Sequence, residues 1–450
     1  MCCVGPYLTM NFLLLLVSAS LAVAAPEYTP GFTAVEPGAY VPGKAFNRFV
    51  TIWLENQDFL RVENDPDIAA LRKEGVLLTE YYGLTHPSQP NYIASVGGDY
   101  FGLNHDGFVR IPQNVSTLID LFDTKGIDWR GYFEDYPGPG YMYEGSTASD
   151  GSGWDYVRKH NPFVSFDSVN LNSTRLLKLQ SFTEFQHDVE NDSLPQYAHL
   201  SPNMLNDGHN TSLEYATNWT TSFLKPLLAD FGFMEDTLVL LTYDESQTYS
   251  EPNRIVSLLL GGAIPDKLKG TTDDTAYTHY SILSTLQNNW ELPNLGRYDV
   301  GANVFQMVAD ITGYKNHPPG NLGSIDNSIS YAGFLNKNAD SYRPIPAPNL
   351  QLTGAGGQGV VGVVKKTWAS ASGEDTPYNG SGDVYDGGNG TLALAPNAPV
   401  YQAQATNAVS TGTATVAPTR QTSTSGAGKE NLHWAAVMVG IVAFAAFVLL

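Results

Sequence analysis

The sequence predicts an α/β fold, a central, mostly parallel β-sheet with helices on both faces, and two observations predict it. Short apolar runs alternate with helix-periodic segments from about residue 46 to 313. Polar residues capable of chemistry cluster directly after those runs, where an open α/β sheet carries its site. The chain has 450 residues, 42% of them apolar, enough to bury a sizeable core. Its 45 acidic residues outnumber 24 basic ones, and the net charge of -21 would repel a phosphate backbone, so a nucleic-acid role is disfavoured.

Phe49–Leu54 (FVTIWL) is the first strand, Asp67–Glu74 a helix and Val76–Tyr82 the next strand. Val115–Lys125 reads as an amphipathic helix and Trp129–Phe133 as a strand. Residues 136–166, rich in Gly, Pro, Tyr and Ser, read as a long insertion over one sheet edge. Tyr197–Leu200 is a short strand, and Thr211–Phe231 carries Leu213, Trp219, Phe223, Leu227 and Leu228 at helical spacing. Thr237–Thr242 (TLVLLT) and Ile255–Leu260 are apolar enough for strands covered on both faces, and Ser281–Trp290 is a helix. Residues 26–340 thus form the folded domain. Residues 341–425 turn to Gly, Ala, Ser, Thr and Asn, the composition of a low-complexity, O-glycosylated stalk unable to fold alone.

Both ends read as processing signals. Residues 1–25 lack Asp, Glu, Lys and Arg, contain the apolar run Phe12–Val17 and end in small residues before Pro26, as a secretory signal peptide does. Cys2 and Cys3, the only cysteines, leave with it, which excludes thiolate nucleophiles, Cys-ligated zinc and iron–sulfur clusters. At the other end come small residues (423–427), a polar spacer (428–434) and an apolar tail (435–450). This order predicts a GPI-attachment signal over 426–450, removed on maturation, with Ser425 as the attachment residue. Asn114, Asn172, Asn191, Asn218, Asn379 and Asn389 head N-x-Ser/Thr triplets and are expected to be glycosylated. A further triplet at Asn210 lies beside a candidate site histidine and is expected to be unoccupied or turned away from the pocket.

Chemistry-bearing residues fall in five segments. Glu55-Asn56 follows the first strand and offers a carboxylate and an amide oxygen to a hard cation. Ser88, in Thr85-His86-Pro87-Ser88-Gln89-Pro90-Asn91-Tyr92, opens a helix, where N–H groups and the dipole favour a developing alkoxide. Asp207-Gly208-His209 sets a histidine near an aspartate in a loop. Asp244-Glu245 ends TLVLLTY, and adjacent carboxylates there repel unless a positive group compensates. His279 starts the last helix. No G-x-S-x-G elbow, H-E-x-x-H motif or Walker A loop is present.

In this order the segments resemble the phosphoesterase family that holds fungal phosphate-repressible acid phosphatases, bacterial acid phosphatases and phosphatidylcholine-type phospholipases C, within the alkaline phosphatase-like superfamily. The similarity runs over roughly residues 45–315, and Tyr132–Gly138 and Arg158–Phe163 resemble the fungal acid phosphatase branch. The resemblance implies that Ser88 is the nucleophile and that Glu55, Asn56, Ser88, Asp244 and Glu245 hold a divalent metal ion of unassigned identity. It places His209 and His279 as catalytic groups near the phosphate and Asn91 and Asp207 at the substrate. Tyr92 stands where the phospholipase branch carries Arg, and a single His follows Asp207, which favours monoesters. The implied protein is a secreted, GPI-anchored acid phosphatase at the cell surface. It would hydrolyse small phosphate monoesters through a phosphoserine, touch the membrane only by its lipid, and need no nucleic acid or obligate protein partner. Its activity would peak in acid if imidazolium side chains clamp the phosphate. The alternatives are a phosphodiesterase or phospholipase C on the same site, and a non-catalytic cell-wall glycoprotein.

Overall fold

A computed structural model of the chain describes residues 40–148, 151, 153–319, 321, 333–337, 345–371 and 376–384. The expected signal peptide, Asn389, Ser425 and the 426–450 signal lie outside the described residues. Among the described residues ten strands are numbered in chain order: β1 (Arg48–Leu54), β2 (Val76–Tyr82), β3 (Trp129–Phe133), β4 (Gly145–Thr147), β5 (Trp154–Val157), β6 (Leu179–Gln180), β7 (Tyr197–Ser201), β8 (Thr237–Tyr243), β9 (Arg254–Leu260) and β10 (Thr271–Thr278). Eight of them form one sheet in the order β10-β2-β9-β8-β1-β7-β3-β6. All neighbours pair in parallel except β9, which runs antiparallel between β8 and β2. β4 and β5 form a separate antiparallel hairpin inside the 136–166 insertion.

Apolar runs decide where the central strands lie. Every residue of β8 and all of β1 after Arg48 are buried, so both faces of the sheet centre are covered. Helix starts follow the capping chemistry. Thr117 caps Leu118–Asp123 in a reciprocal capping box with Asp120, so that helix begins later than apolar periodicity alone predicts. Ser212 caps Leu213–Ala229 by accepting from the Tyr215 N–H. The outer half of β10 is mostly exposed and carries Asp273 and Asp274, an edge design without the apolar alternation that reveals a strand.

The stalk boundary is corrected. Ile345, Ala347, Val360, Val361, Val364 and Trp368 are buried in the main core, and Tyr378 and Val384 are buried as well. The segment is tied down by polar contacts. Arg297 donates to the Tyr378 hydroxyl at 2.5 Å and to the Pro346 carbonyl at 3.3 Å, and Tyr378 donates to Asp99 at 2.5 Å. Glycine here serves close approach, since a Cβ on Gly356 would lie 2.2 Å from the Leu292 carbonyl oxygen. The folded body therefore continues to about residue 384.

Candidate active site

Three neighbouring parallel strands, β8, β1 and β7, present their carboxyl ends to one place. β1 delivers Glu55 and Asn56, β8 delivers Asp244 and Glu245, and the loop after β7 delivers Asp207 and His209. Backbone bonds lock these ends together: Glu55 N–H to Asp207 O at 2.9 Å, and Asp244 N–H to Leu54 O at 3.1 Å. Asn56 adopts a left-handed backbone (φ 39°), which Asn tolerates, and its N–H donates to Asp244 Oδ1 at 3.2 Å. β2 feeds the loop to Ser88, the first residue of the helix Ser88–Gly97, all of which is buried.

Ser88 Oγ lies 3.1 Å from Glu55 Oε2 and 3.3 Å from Glu245 Oε1, a donor to both. Glu55, Asp207, Asp244 and Glu245 are all 0–1% exposed. Burial pushes their carboxyl groups upward, repulsion from Glu55 adds to this for the other three, and Lys159 pulls all four back. Such a cluster is costly without a compensating cation. The Asn56 amide fits one: its terminal atom facing the acids sits 3.1 Å from both Glu245 Oε1 and Asp244 Oδ1. An oxygen there ligates a cation, and an NH2 turned there would bond both carboxylates when no cation is bound. A second donor set shares Glu55. His160 Nε2 lies 3.2 Å from Glu55 Oε1 and His160 Nδ1 lies 3.4 Å from Asp207 Oδ2. His160 Nε2 and Asp207 Oδ2 are buried without a hydrogen-bond partner, and Glu55, His160 and Asp207 are close enough to hold a metal ion.

The phosphoesterase family profile matches residues 47–293. The chain belongs to the phosphoesterase family. A probable acid phosphatase of Kluyveromyces lactis is 48% identical over 328 residues, covering 73% of this chain and 77% of that protein. An acid phosphatase of Aspergillus fumigatus is 46% identical over 371 residues, covering 80% and 83%. A phosphate-repressible acid phosphatase of Penicillium chrysogenum is 49% identical over 332 residues, covering 74% and 80%. This phosphoesterase is accordingly an enzyme of the fungal acid phosphatase branch.

In this phosphoesterase the structure gathers Glu55, Asn56, Ser88, Asp207, Asp244 and Glu245, and it ties His279 and Asn91 into buried hydrogen bonds. His279 is fully buried, with Nε2 2.7 Å from the Asp244 carbonyl oxygen and Nδ1 3.4 Å from the Tyr81 hydroxyl. Burial holds its imidazole down at about 4, the Asp244 carbonyl opposing, and its Nε2 contact sets it against the Asp244 backbone. Replacing His279 with alanine is expected to lower kcat about 10- to 100-fold while the pH–rate profile keeps its shape. Loss of one limb of that profile would restore His279 as a proton donor. Asn91 is also fully buried. Its Oδ1 accepts from Leu84 and Thr85 N–H at 2.8 and 3.3 Å, and its Nδ2 donates to the Thr85 and Pro87 carbonyls, so it pins the loop that presents Ser88. Asp207 accepts from the His209 N–H at 2.8 Å and turns its other oxygen toward His160, among acids rather than toward an anion.

Four residues of the site lay outside the sequence-based set. Tyr92 donates to Glu55 Oε1 at 2.5 Å and stacks on His160 at 5.1 Å. His86 contacts Glu245 Oε2 through Nδ1 and stacks on Tyr249. Lys159 and His160 come from the 136–166 insertion, and their only sequence signal was the Arg158–Phe163 resemblance. His209 is exposed at a cleft of about 190 Å³, lined also by Asn56, Gln57, Gln247 and Tyr249. Asn210 is exposed beside it, its Oδ1 2.9 Å from His209 Nδ1. Asn172, Asn191, Asn218 and Asn379 are exposed and Asn114 is partly so.

Proposed function

We propose that this phosphoesterase is a secreted, GPI-anchored acid phosphatase that hydrolyses small phosphate monoesters through a phosphoserine on Ser88. The observation that carries the chemistry is the convergence of Glu55, Asn56, Asp244 and Glu245 on a serine at the start of a buried helix. A divalent ion held by Glu55, Asn56, Ser88, Asp244 and Glu245 would neutralise those acids and withdraw charge from a phosphoryl oxygen. The oxygen ligands suit calcium, magnesium or manganese, with zinc and iron also compatible.

The chain's own groups supply the rest. Glu55 and Glu245 both stand within hydrogen-bond reach of the Ser88 hydroxyl, and one of the two carboxylates accepts its single proton as Oγ attacks phosphorus. The first turn of the helix Ser88–Gly97 faces the negative charge that develops. His209, at the cleft, is placed to protonate the departing alkoxide, and water then releases phosphate from Ser88. Secretion and lipid anchoring rest on the two terminal sequence signals. None of the described helices is long and apolar enough to cross a membrane. We also read Asn114, Asn172, Asn191, Asn218, Asn379 and Asn389 as glycan acceptors and Asn210 as unmodified, because a glycan there would crowd His209.

The deciding experiment is turnover by the purified mature chain of nitrophenyl phosphate, bis-nitrophenyl phosphate and phosphatidylcholine from pH 4 to 8, with and without chelator. The proposal expects monoester turnover that peaks in acid and is lost with chelator. Preference for either diester would favour the phosphodiesterase or phospholipase reading. Inactivity on all three with added divalent cations would favour a structural glycoprotein.

A further inference from the structure

We propose that Lys159 is the residue that selects phosphate monoesters over diesters, its ammonium binding the phosphoryl oxygen that a diester carries as a second ester. The inference rests on the phosphatase reading of the same site and names its specificity device.

Lys159 sits in the short turn Arg158–His160, and the adjacent His160 is wedged between Glu55 and Asp207, so the lysine is fixed to the metal-ligand cluster by its neighbour. Its side chain is only 15% exposed. Its Nζ is 3.2 Å from Asp106 Oδ2 and 3.4 Å from His209 Nε2. An ammonium cannot accept, so His209 Nε2 is the acceptor and its Nδ1 carries the proton toward Asn210 Oδ1. In this contact Lys159 is the donor and His209, which lines the cleft, the acceptor.

Asp106 shows what Lys159 and the helix start are built to hold. One carboxylate oxygen accepts from Lys159, and the other accepts from the Gln89 N–H at 3.1 Å, the residue after the nucleophile. A carboxylate thus already bridges the ammonium and the first-turn amide beside Ser88, the groups a phosphoryl anion at Ser88 would use. A monoester brings three terminal oxygens and up to two charges, which serve the cation, the helix start and Lys159 together. A diester brings two oxygens and one charge, and leaves the ammonium facing an ester group.

The test compares wild type with Lys159→Met, Lys159→Arg and Asp106→Asn. It measures inorganic phosphate binding by calorimetry and kcat/KM on nitrophenyl phosphate and bis-nitrophenyl phosphate at pH 6.5. Lys159→Met is expected to weaken phosphate binding about 10- to 100-fold and to lower the monoester-to-diester ratio of kcat/KM by a similar factor. Lys159→Arg should recover part of both. Asp106→Asn removes the competing negative charge and should tighten phosphate binding, a gain that misfolding cannot produce. Unchanged phosphate binding in Lys159→Met, an equal fall on both substrates, or weaker binding in Asp106→Asn would overturn the inference. Wild type that turns over neither ester yet binds phosphate through Lys159 would sink the phosphatase reading and leave the anion site standing.

Discussion

Replacing Ser88 with alanine is expected to lower kcat on phosphate monoesters on the order of 10⁴-fold or more, while the protein keeps its fold. The loss is large because the neighbouring described hydroxyls are engaged elsewhere. Tyr92 already donates to Glu55 at 2.5 Å, and burial and neighbouring carboxylates push its phenol well above its ordinary range, while Ser246 donates to the Thr248 carbonyl at 3.3 Å. Water is then the only candidate attacker, without the fixed placement that Ser88 gains at the head of a wholly buried helix. Stability should change little, because the helix has no side-chain cap at Ser88 and its preceding loop is pinned by Asn91 instead. The direct measurement is acid quench after mixing with labelled substrate, with mass mapping of the phosphorylated peptide. Label on Ser88 in wild type and none in the variant supports the phosphoserine. An alanine variant within tenfold of wild type would remove Ser88 from the chemistry.

How much of this was legible in the sequence differs by element for physical reasons. β2 and β3 match their predicted ranges, and β1, β7, β8 and β9 differ by one residue at an end, because strands buried on both faces read as unbroken apolar runs. Glu55 and Asp244 were readable because they break such runs where the sheet ends, and Asp207 because it pairs with a histidine in the loop after one. What periodicity cannot say is which way a polar residue points. His279 and Asn91 carry the same residue types whether they meet substrate or hold a loop, and only packing against Trp53, Tyr81 and Thr85 decides. Lys159 and His160 were invisible as site residues because they reach the cluster from an insertion rich in Gly, Pro and Tyr, through tertiary contacts alone. Residues 345–371 and 376–384 were misjudged for a related reason. A segment that binds a core by close glycine contacts and a few anchors such as Trp368 has no period to detect.

Replacing Asp244 with asparagine is expected to lower kcat at least about 10³-fold and to stabilise the cation-free protein, two opposite effects with one cause. Asp244 Oδ1 is 3.2 Å from the Asn56 N–H and faces the Asn56 amide, while its carbonyl is held by His279. It is fully buried beside Glu55 and Glu245. In the proposed ligand set that charge would face the cation. Without one, burial first and Glu55 second push its carboxyl well above the ordinary range. The folded, cation-free state then binds more protons than the unfolded chain between the unfolded and folded pKa values. Its stability is unpenalised below the unfolded pKa, near 4, and falls as pH rises toward the folded one. In chelator, wild type should therefore lose Tm from pH 4.5 to 7.5, and Asp244→Asn should lose less, standing roughly 2–6 °C higher at pH 7.5. Added divalent ion should reverse the order, because binding to the folded state stabilises wild type by mass action and the variant has lost a ligand. Thermal scans at two pH values with and without ion read all four corners. A variant that is less stable than wild type in chelator would mean that Asp244 is satisfied by protein groups alone, and the cation would lose its structural warrant.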